Sequence, residues 1–332
     1  MSAMTKVQRV RAVLKGQKPD RPAISFWYHF TADEVYGQPA VDAHLRHLER
    51  FDLDFLKVMN DNGYPTPSGE SIGSAGDLAK LSEQRGDEGP FARQLELLSN
   101  LRDRLGGEVL TTTTVFNAWA TLRNLTQEAP IKHGPPKMEA GTDPRDQNMT
   151  ALLEQDRKSV GEALLTIARS LASFCRRCIE AGADGVFLSV RDDWVDTRAN
   201  GSETYNELVR PADKIIYEAL GAGTFNMLHV CGKARNFEAF AAYPFHVINW
   251  ADRSAGPSIA YARDRVAPAI CGGLDNLGTL ATGTPEQCVD QARDALRQAG
   301  DRPIMVSAGC TYDPQLVPEA NLKAVCQAIR GA

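Results

Sequence analysis

The sequence predicts a single (β/α)8 barrel spanning residues 1–332. Three observations carry this expectation. Short apolar runs rich in β-branched and aromatic residues alternate with longer stretches of helical periodicity, the pattern of a parallel sheet with crossover helices. Eight such runs can be counted, as a closed barrel requires. The chain, with 332 residues of which 43% are hydrophobic and 24% charged, is long enough for one large core and has a globular composition.

The first run is 23–28 (AISFWY) and the second 54–59 (DFLKVM). The third is 108–116 (EVLTTTTVF), whose β-branched residues favour a pleated strand. The fourth is 185–190 (GVFLSV), the fifth 224–230 (TFNMLHV) and the sixth 246–250 (HVINW). The seventh, 268–271 (PAIC), leads into Gly272-Gly273, and the eighth is 303–307 (PIMVS). Between them, 151–181 places Leu153, Val160, Leu164, Ile167 and Leu171 on helical spacing. The stretches 286–299 and 319–329 read as helices after start signals at Thr284-Pro285 and Pro318. Two segments break the rhythm: 65–89, rich in Gly, Ser, Asp and Glu, and 127–148, rich in proline. Connections of this length either cover a site or run over the surface.

Composition excludes some functions. The net charge of −5 lacks the basic footprint of a nucleic-acid binder. No stretch approaches the ~20 apolar residues of a membrane span. The opening MSAMTKVQRVRAVLKG lacks the apolar core of a secretory signal, so a reducing, cytoplasmic setting is expected. The seven cysteines then read as thiols, metal ligands or core residues, not as a disulfide framework. There is no Walker A string, and no G-x-G-x-x-G follows a strand.

Chemistry in such a barrel sits where strands end. His229 and Cys231 lie at the end of the fifth run, two residues apart, so alternation points them the same way. Cys310 follows the eighth run and borders the same mouth. Two thiolates and an imidazole make a Cys₂His zinc site with one open position, the catalytic pattern. Spacing alone leaves open a core histidine beside an inert thiol. Asp252 and Asp275, after the sixth and seventh runs, are candidates to orient His229, or turn residues. His29 and Tyr64 are expected to line the pocket, and Asp193, in R-D-D-W at 191–194, to contact substrate. Cys271 reads as a core thiol or a spare ligand. Cys175, Cys178, Cys288 and Cys326 read as helical core, and His44 and His47 as surface residues of an early helix.

The strings LHVCGK (228–233), NWAD (249–252), GGLD (272–275) and GC (309–310) followed by VPEANL (317–322) resemble the uroporphyrinogen decarboxylase superfamily. So do KPDRP (18–22) and FDLDFLKVM (51–59). The likeness is to its zinc-dependent methyltransferase branch, whose members work with corrinoid proteins. It implies that His229, Cys231 and Cys310 hold Zn2+. It also implies that a methyl group passes to a small-molecule thiol acceptor, from a corrinoid-carrying partner protein or a small methylated or methoxylated donor. The decarboxylase itself carries R-Q-A-G-R after the first strand, where this chain has FWYHFTA (26–32). No arginine stands between Arg21 and Arg46. A polycarboxylate needs a cradle of bidentate donors, so uroporphyrinogen is not the expected substrate. The aromatics Phe26, Trp27, Tyr28, Phe30 and Trp119 suit a small apolar or aromatic compound better. The alternative reading is a metal-free decarboxylase or other lyase acting on a small acid.

Overall fold

The computed structural model describes residues 3–65, 71–127, 143–191, 201–232 and 236–331. The strands are β1 (Ala23–Ile24), β2 (Phe55–Val58), β3 (Leu110–Phe116), β4 (Gly185–Arg191), β5 (Met227–Cys231), β6 (Val247–Trp250), β7 (Ala269–Leu274) and β8 (Ile304–Ala308). All neighbours pair in parallel in the order β1-β8-β7-β6-β5-β4-β3-β2. This is the expected (β/α)8 barrel.

Alternation along each strand divides the core in two. Leu56, Val58, Val186, Leu188, Val190, Leu228, Val230, Ile248 and Ile270 face outward into the layer beneath the helices. Ala23, Phe55, Leu110, Phe187, Met227, Val247, Cys271 and Met305 fill the lumen, with Val10 and Val13 from the helix Lys6–Leu14 packed among them. The lumen is therefore a packed core whose polar residues gather toward the strand ends.

β1 and β2 close the barrel without a regular ladder. One backbone bond, from Asp54 N–H to Ile24 O at 2.9 Å, joins them. Side chains do the rest. The Asp54 carboxylate accepts from Ile24 N–H at 2.9 Å, and Ser25 Oγ donates to Phe55 O at 2.8 Å. Arg9 and Arg21 hold the fully buried Asp54 at 2.6 and 2.7 Å.

Four expectations are corrected here. The first strand is paired only at Ala23–Ile24, because the chain beyond leaves β8. The helix Pro144–Glu180 begins earlier than its apolar pattern, at an Asp143 cap with proline in the first turn, and breaks at Asp156. The seventh strand runs through Gly272 and Gly273 to Leu274. His44 and His47 are buried, not on the surface. Both lie on the inner face of the helix Gly37–Phe51 and serve strand-end backbone. His44 Nε2 accepts from Met59 N–H at 2.9 Å, and His47 Nε2 lies 2.8 Å from Phe26 O. Burial pushes both imidazoles down to about 4.

The described part of the 65–89 segment is bonded to two helices: Ile72 N–H donates to Leu125 O at 2.8 Å, and residues 84–85 lie on the long helix. Ser170 Oγ accepts from Gln84 N–H at 2.9 Å, and Ser173 Oγ donates to Arg85 O at 2.6 Å. Residues 128–142 of the proline-rich segment, and Asp193, lie outside the described residues. Among the described residues, no helix is long and apolar enough to cross a membrane.

Candidate metal centre

β5 carries His229 and Cys231 with two-residue spacing, so both side chains enter the lumen side. Gly232 follows at φ 106° and turns the chain away from the strand. Cys310 arrives from the other side, two residues after β8. Gly309 allows this approach: a Cβ there would sit 2.6 Å from Ala251 Cα, so any side chain would push the turn outward. One donor atom from each of His229, Cys231 and Cys310 lies within 4.8 Å of the others. Among the described residues, this is the one group of three or more metal-binding side chains so arranged.

The tautomer of His229 follows from its neighbours. Asn249 Nδ2 lies 2.9 Å from Cys271 O and 3.2 Å from Ala308 O. Two carbonyl acceptors fix that end as the NH₂ group, so Oδ1 must face the other way. Oδ1 lies 2.6 Å from His229 Nδ1, which is therefore the donor. Nε2 is left with its lone pair, buried on the side of the Cys231 thiol. A metal ion would take that lone pair as a ligand. The ring is further held by stacking on Phe187 at 5.3 Å and 24°.

The two thiols shift in opposite directions. Cys310 is lowered to about 6, first because the Cys231 thiol donates to it, with Thr311 hydrogen bonds and the Lys57 charge assisting. Cys231 is correspondingly pushed up to about 12, by its bond to Cys310 and by burial. A site that already favours one thiolate suits a soft divalent cation, and the Cys₂His donor set suits zinc.

The remaining candidates fall elsewhere. Asp252 does not orient His229; its Oδ1 accepts from Gly273 N–H at 2.9 Å and its Oδ2 faces Arg253 at 3.4 Å. Burial raises its carboxyl to about 6. Asn249 takes the orienting role instead. It lies within the quoted NWAD string, beside His229 in the β5–β6 register, and that position was the available signal. Asp275 caps its own turn, accepting from Leu277 and Gly278 N–H at 3.2 and 3.0 Å. Cys271 is a core thiol 3.1 Å from Ser307 Oγ. Tyr64 turns outward, its ring edge-on to Phe91 at 5.7 Å beneath the helices. His29 stands at the rim with Nδ1 2.7 Å from Asp61 Oδ1. The expected aromatics are only partly brought together. Trp27 and Phe30 share the lumen cluster and Tyr28 packs on Phe30 at 4.6 Å and on Tyr312 at 5.2 Å, whereas Phe26 packs against Phe51 and Trp119 is buried in the outer core.

Asn249→Ala is expected to leave the fold intact and weaken zinc binding about 10- to 100-fold, because His229 loses its fixed tautomer. Competition with a chromogenic chelator measures this; an unchanged affinity would remove Asn249 from the site.

A barrel with a mixed thiolate and imidazole pocket at the C-terminal ends of its strands is an enzyme-type architecture. The family profile described as "Uroporphyrinogen decarboxylase (URO-D)" matches residues 55–332, and the chain belongs to that family. A methyltransferase from Methanosarcina mazei shares the fold at a TM-score of 0.74 and 14% identity, over 99% of each chain. A B12-independent methionine synthase from Shewanella sp. W3-18-1 is matched at 0.46 and 13% identity, over 71% of this chain and 66% of that one. No curated protein matches in sequence.

Proposed function

We propose that this chain is a zinc-dependent methyltransferase that alkylates a small thiol, with a methylated corrinoid protein or a small methylated compound as donor. One observation carries the reading: His229, Cys231 and Cys310 bring one donor atom each within 4.8 Å of one another at the strand ends, with the His229 ring fixed through Nδ1 by Asn249. The name of the Methanosarcina mazei barrel, a methyltransferase, agrees with it.

His229, Cys231 and Cys310 would hold the zinc, a set of three protein ligands that would leave room for the acceptor. When bound, zinc keeps the acceptor sulfur ionised at neutral pH while leaving it nucleophilic. The chain's own residues do the rest. Asn249 holds the imidazole through its Nδ1–H, and Gly309 lets Cys310 reach the lumen. Trp27 and Phe187, in contact at 5.5 Å, give the lumen beside His229 an apolar wall. The thiol proton passes to solvent, so neither Asp252 nor the His29–Asp61 pair is needed as a base. The acceptor sulfur then bonds to the methyl carbon as the donor leaves with the bonding electron pair.

The test is a titration. Protein purified without a histidine tag should carry about one zinc with sulfur neighbours near 2.3 Å. Adding 2-mercaptoethanol in weak buffer should release about one proton per site. With methylcobalamin as donor probe, thioether should then form. Oxygen and nitrogen neighbours alone, or thiol methylation that survives complete zinc removal, would overturn the proposal. Coproporphyrinogen formed from uroporphyrinogen would do the same.

A further inference from the structure

Lys57 lies on β2 with its side chain in the lumen, buried among core residues. Its ammonium has no carboxylate within ion-pair distance among the described residues. The neighbours it does have are soft. Nζ is 3.1 Å from Met59 Sδ, 4.5 Å from the Phe187 ring centroid and 5.6 Å from that of Trp27. Phe187 is also the ring stacked on His229, so the ammonium and the imidazole share one neighbour. Asp61, the nearby carboxylate at the end of β2, is engaged by His29 at 2.7 Å.

A buried cation held by rings and a thioether is poorly compensated. Burial lowers the ammonium to about 8, opposed by the charges of Cys310 and Asp61, so it remains protonated at neutral pH. The same lumen is filled by Phe55, Met227 and Met305, and a methionine would fit the pattern at position 57 without the cost.

The charge of the proposed site supplies a reason for the lysine. Zinc, two cysteine thiolates and a neutral imidazole sum to zero. An acceptor that enters as thiolate, its proton released to solvent, brings one uncompensated negative charge into a low-dielectric space. Arg191, in register with Cys231 at the end of β4, acts on the Cys231 side. Lys57 acts on the Cys310 side.

We infer that Lys57 is the counter-charge for the anionic sulfur of the methyl acceptor and sets the charge class of the ligand. The site takes a thiolate in preference to a neutral donor of similar size. This inference rests on the proposed function.

The experiment compares two probes on the zinc-loaded full chain by calorimetry. One is 2-mercaptoethanol, which binds as an anion; the other is imidazole, which binds neutral. Lys57→Met keeps the length and apolar stem. It is expected to weaken 2-mercaptoethanol by about 10- to 100-fold and imidazole by about twofold at most, with about one zinc retained. Equal losses for both probes would reduce Lys57 to a packing residue and overturn the inference, as would unchanged thiol affinity. Lys57→Gln, neutral with a polar head, gives the same comparison where the methionine variant does not fold. The two failures are distinguishable. A wild-type protein that releases no proton on binding 2-mercaptoethanol refutes the proposed function and this inference with it. A wild type that does, with a variant that binds thiol equally well, refutes the inference alone.

Discussion

Cys310→Ser is expected to abolish thiol methylation and reduce retained zinc from about one per chain to near zero after dialysis. Serine keeps the shape but replaces a soft anionic sulfur with a hard, protonated oxygen, a poor zinc ligand. It also removes the thiolate that Cys231 hydrogen-bonds, so the partner thiol loses its stabilised ionised neighbour. The loss in metal affinity should exceed the ~10- to 100-fold typical of outer-shell changes, because a direct ligand is gone. The barrel should survive, since its lumen is packed by side chains from every part of the sheet and not by the metal. Metal analysis with far-ultraviolet circular dichroism checks both halves. A variant with full zinc and full turnover would remove Cys310 from the site.

Asp54→Ala is expected to destabilise the fold by about 3–5 kcal/mol. The carboxylate is fully buried and serves three donors at once: Arg9, Arg21 and the backbone N–H of Ile24. Removing it takes the carboxylate from Arg21, leaves Arg9 with Asp20 alone at 2.8 and 2.9 Å, and loosens β1 from β2. Net stabilities of about 5–15 kcal/mol make a loss of this size large. Urea unfolding measures it, and a change below about 1 kcal/mol would show that the closure does not depend on this ionic clasp. Zinc affinity in the folded fraction should be little altered, which separates this effect from that of Cys310→Ser.

The strands were legible because each carries a local signal. Runs such as TTTTV and VFLSV are β-branched or aromatic and bounded by glycine or charge, so their location depends little on tertiary context. Their ends were less so. The 23–28 run looks like a full strand, yet its pairing stops at Ile24, because pairing depends on where β8 lies and not on composition. Tertiary context also hid the two histidines of the helix Gly37–Phe51. On a helical face a histidine reads as solvated, whereas His44 and His47 meet backbone groups left over at strand ends. At the site, His229, Cys231 and Cys310 were visible from strand-end position and motif. Asp252 and Asp275 were read as candidates to orient His229 or as turn residues, and the second of these readings describes Asp275, which caps its own turn. The β5–β6 register puts Asn249 beside His229 and turns Asp252 toward Gly273. Aromatic composition after β1 suggested one pocket; Trp27, Tyr28 and Phe30 do gather, but alternation turns Phe26 to the outer layer, where Trp119 also lies.

The way the barrel is closed divides its wall into two mechanical parts. From β2 round through β5 to β8 the strands are joined by continuous ladders, and His229, Cys231 and Asn249 stand on that arc. Between β1 and β2 there is a seam with a single main-chain bond. Trp27 and His29 follow one lip of it, and Lys57 and Asp61 belong to the other. With so few backbone bonds, the resistance of this seam to opening rests on the side-chain clasp at Asp54. His229 and Cys231 therefore stand on the laddered portion of the hoop and Cys310 just past its last strand, while Trp27, His29, Lys57 and Asp61 straddle the clasped joint.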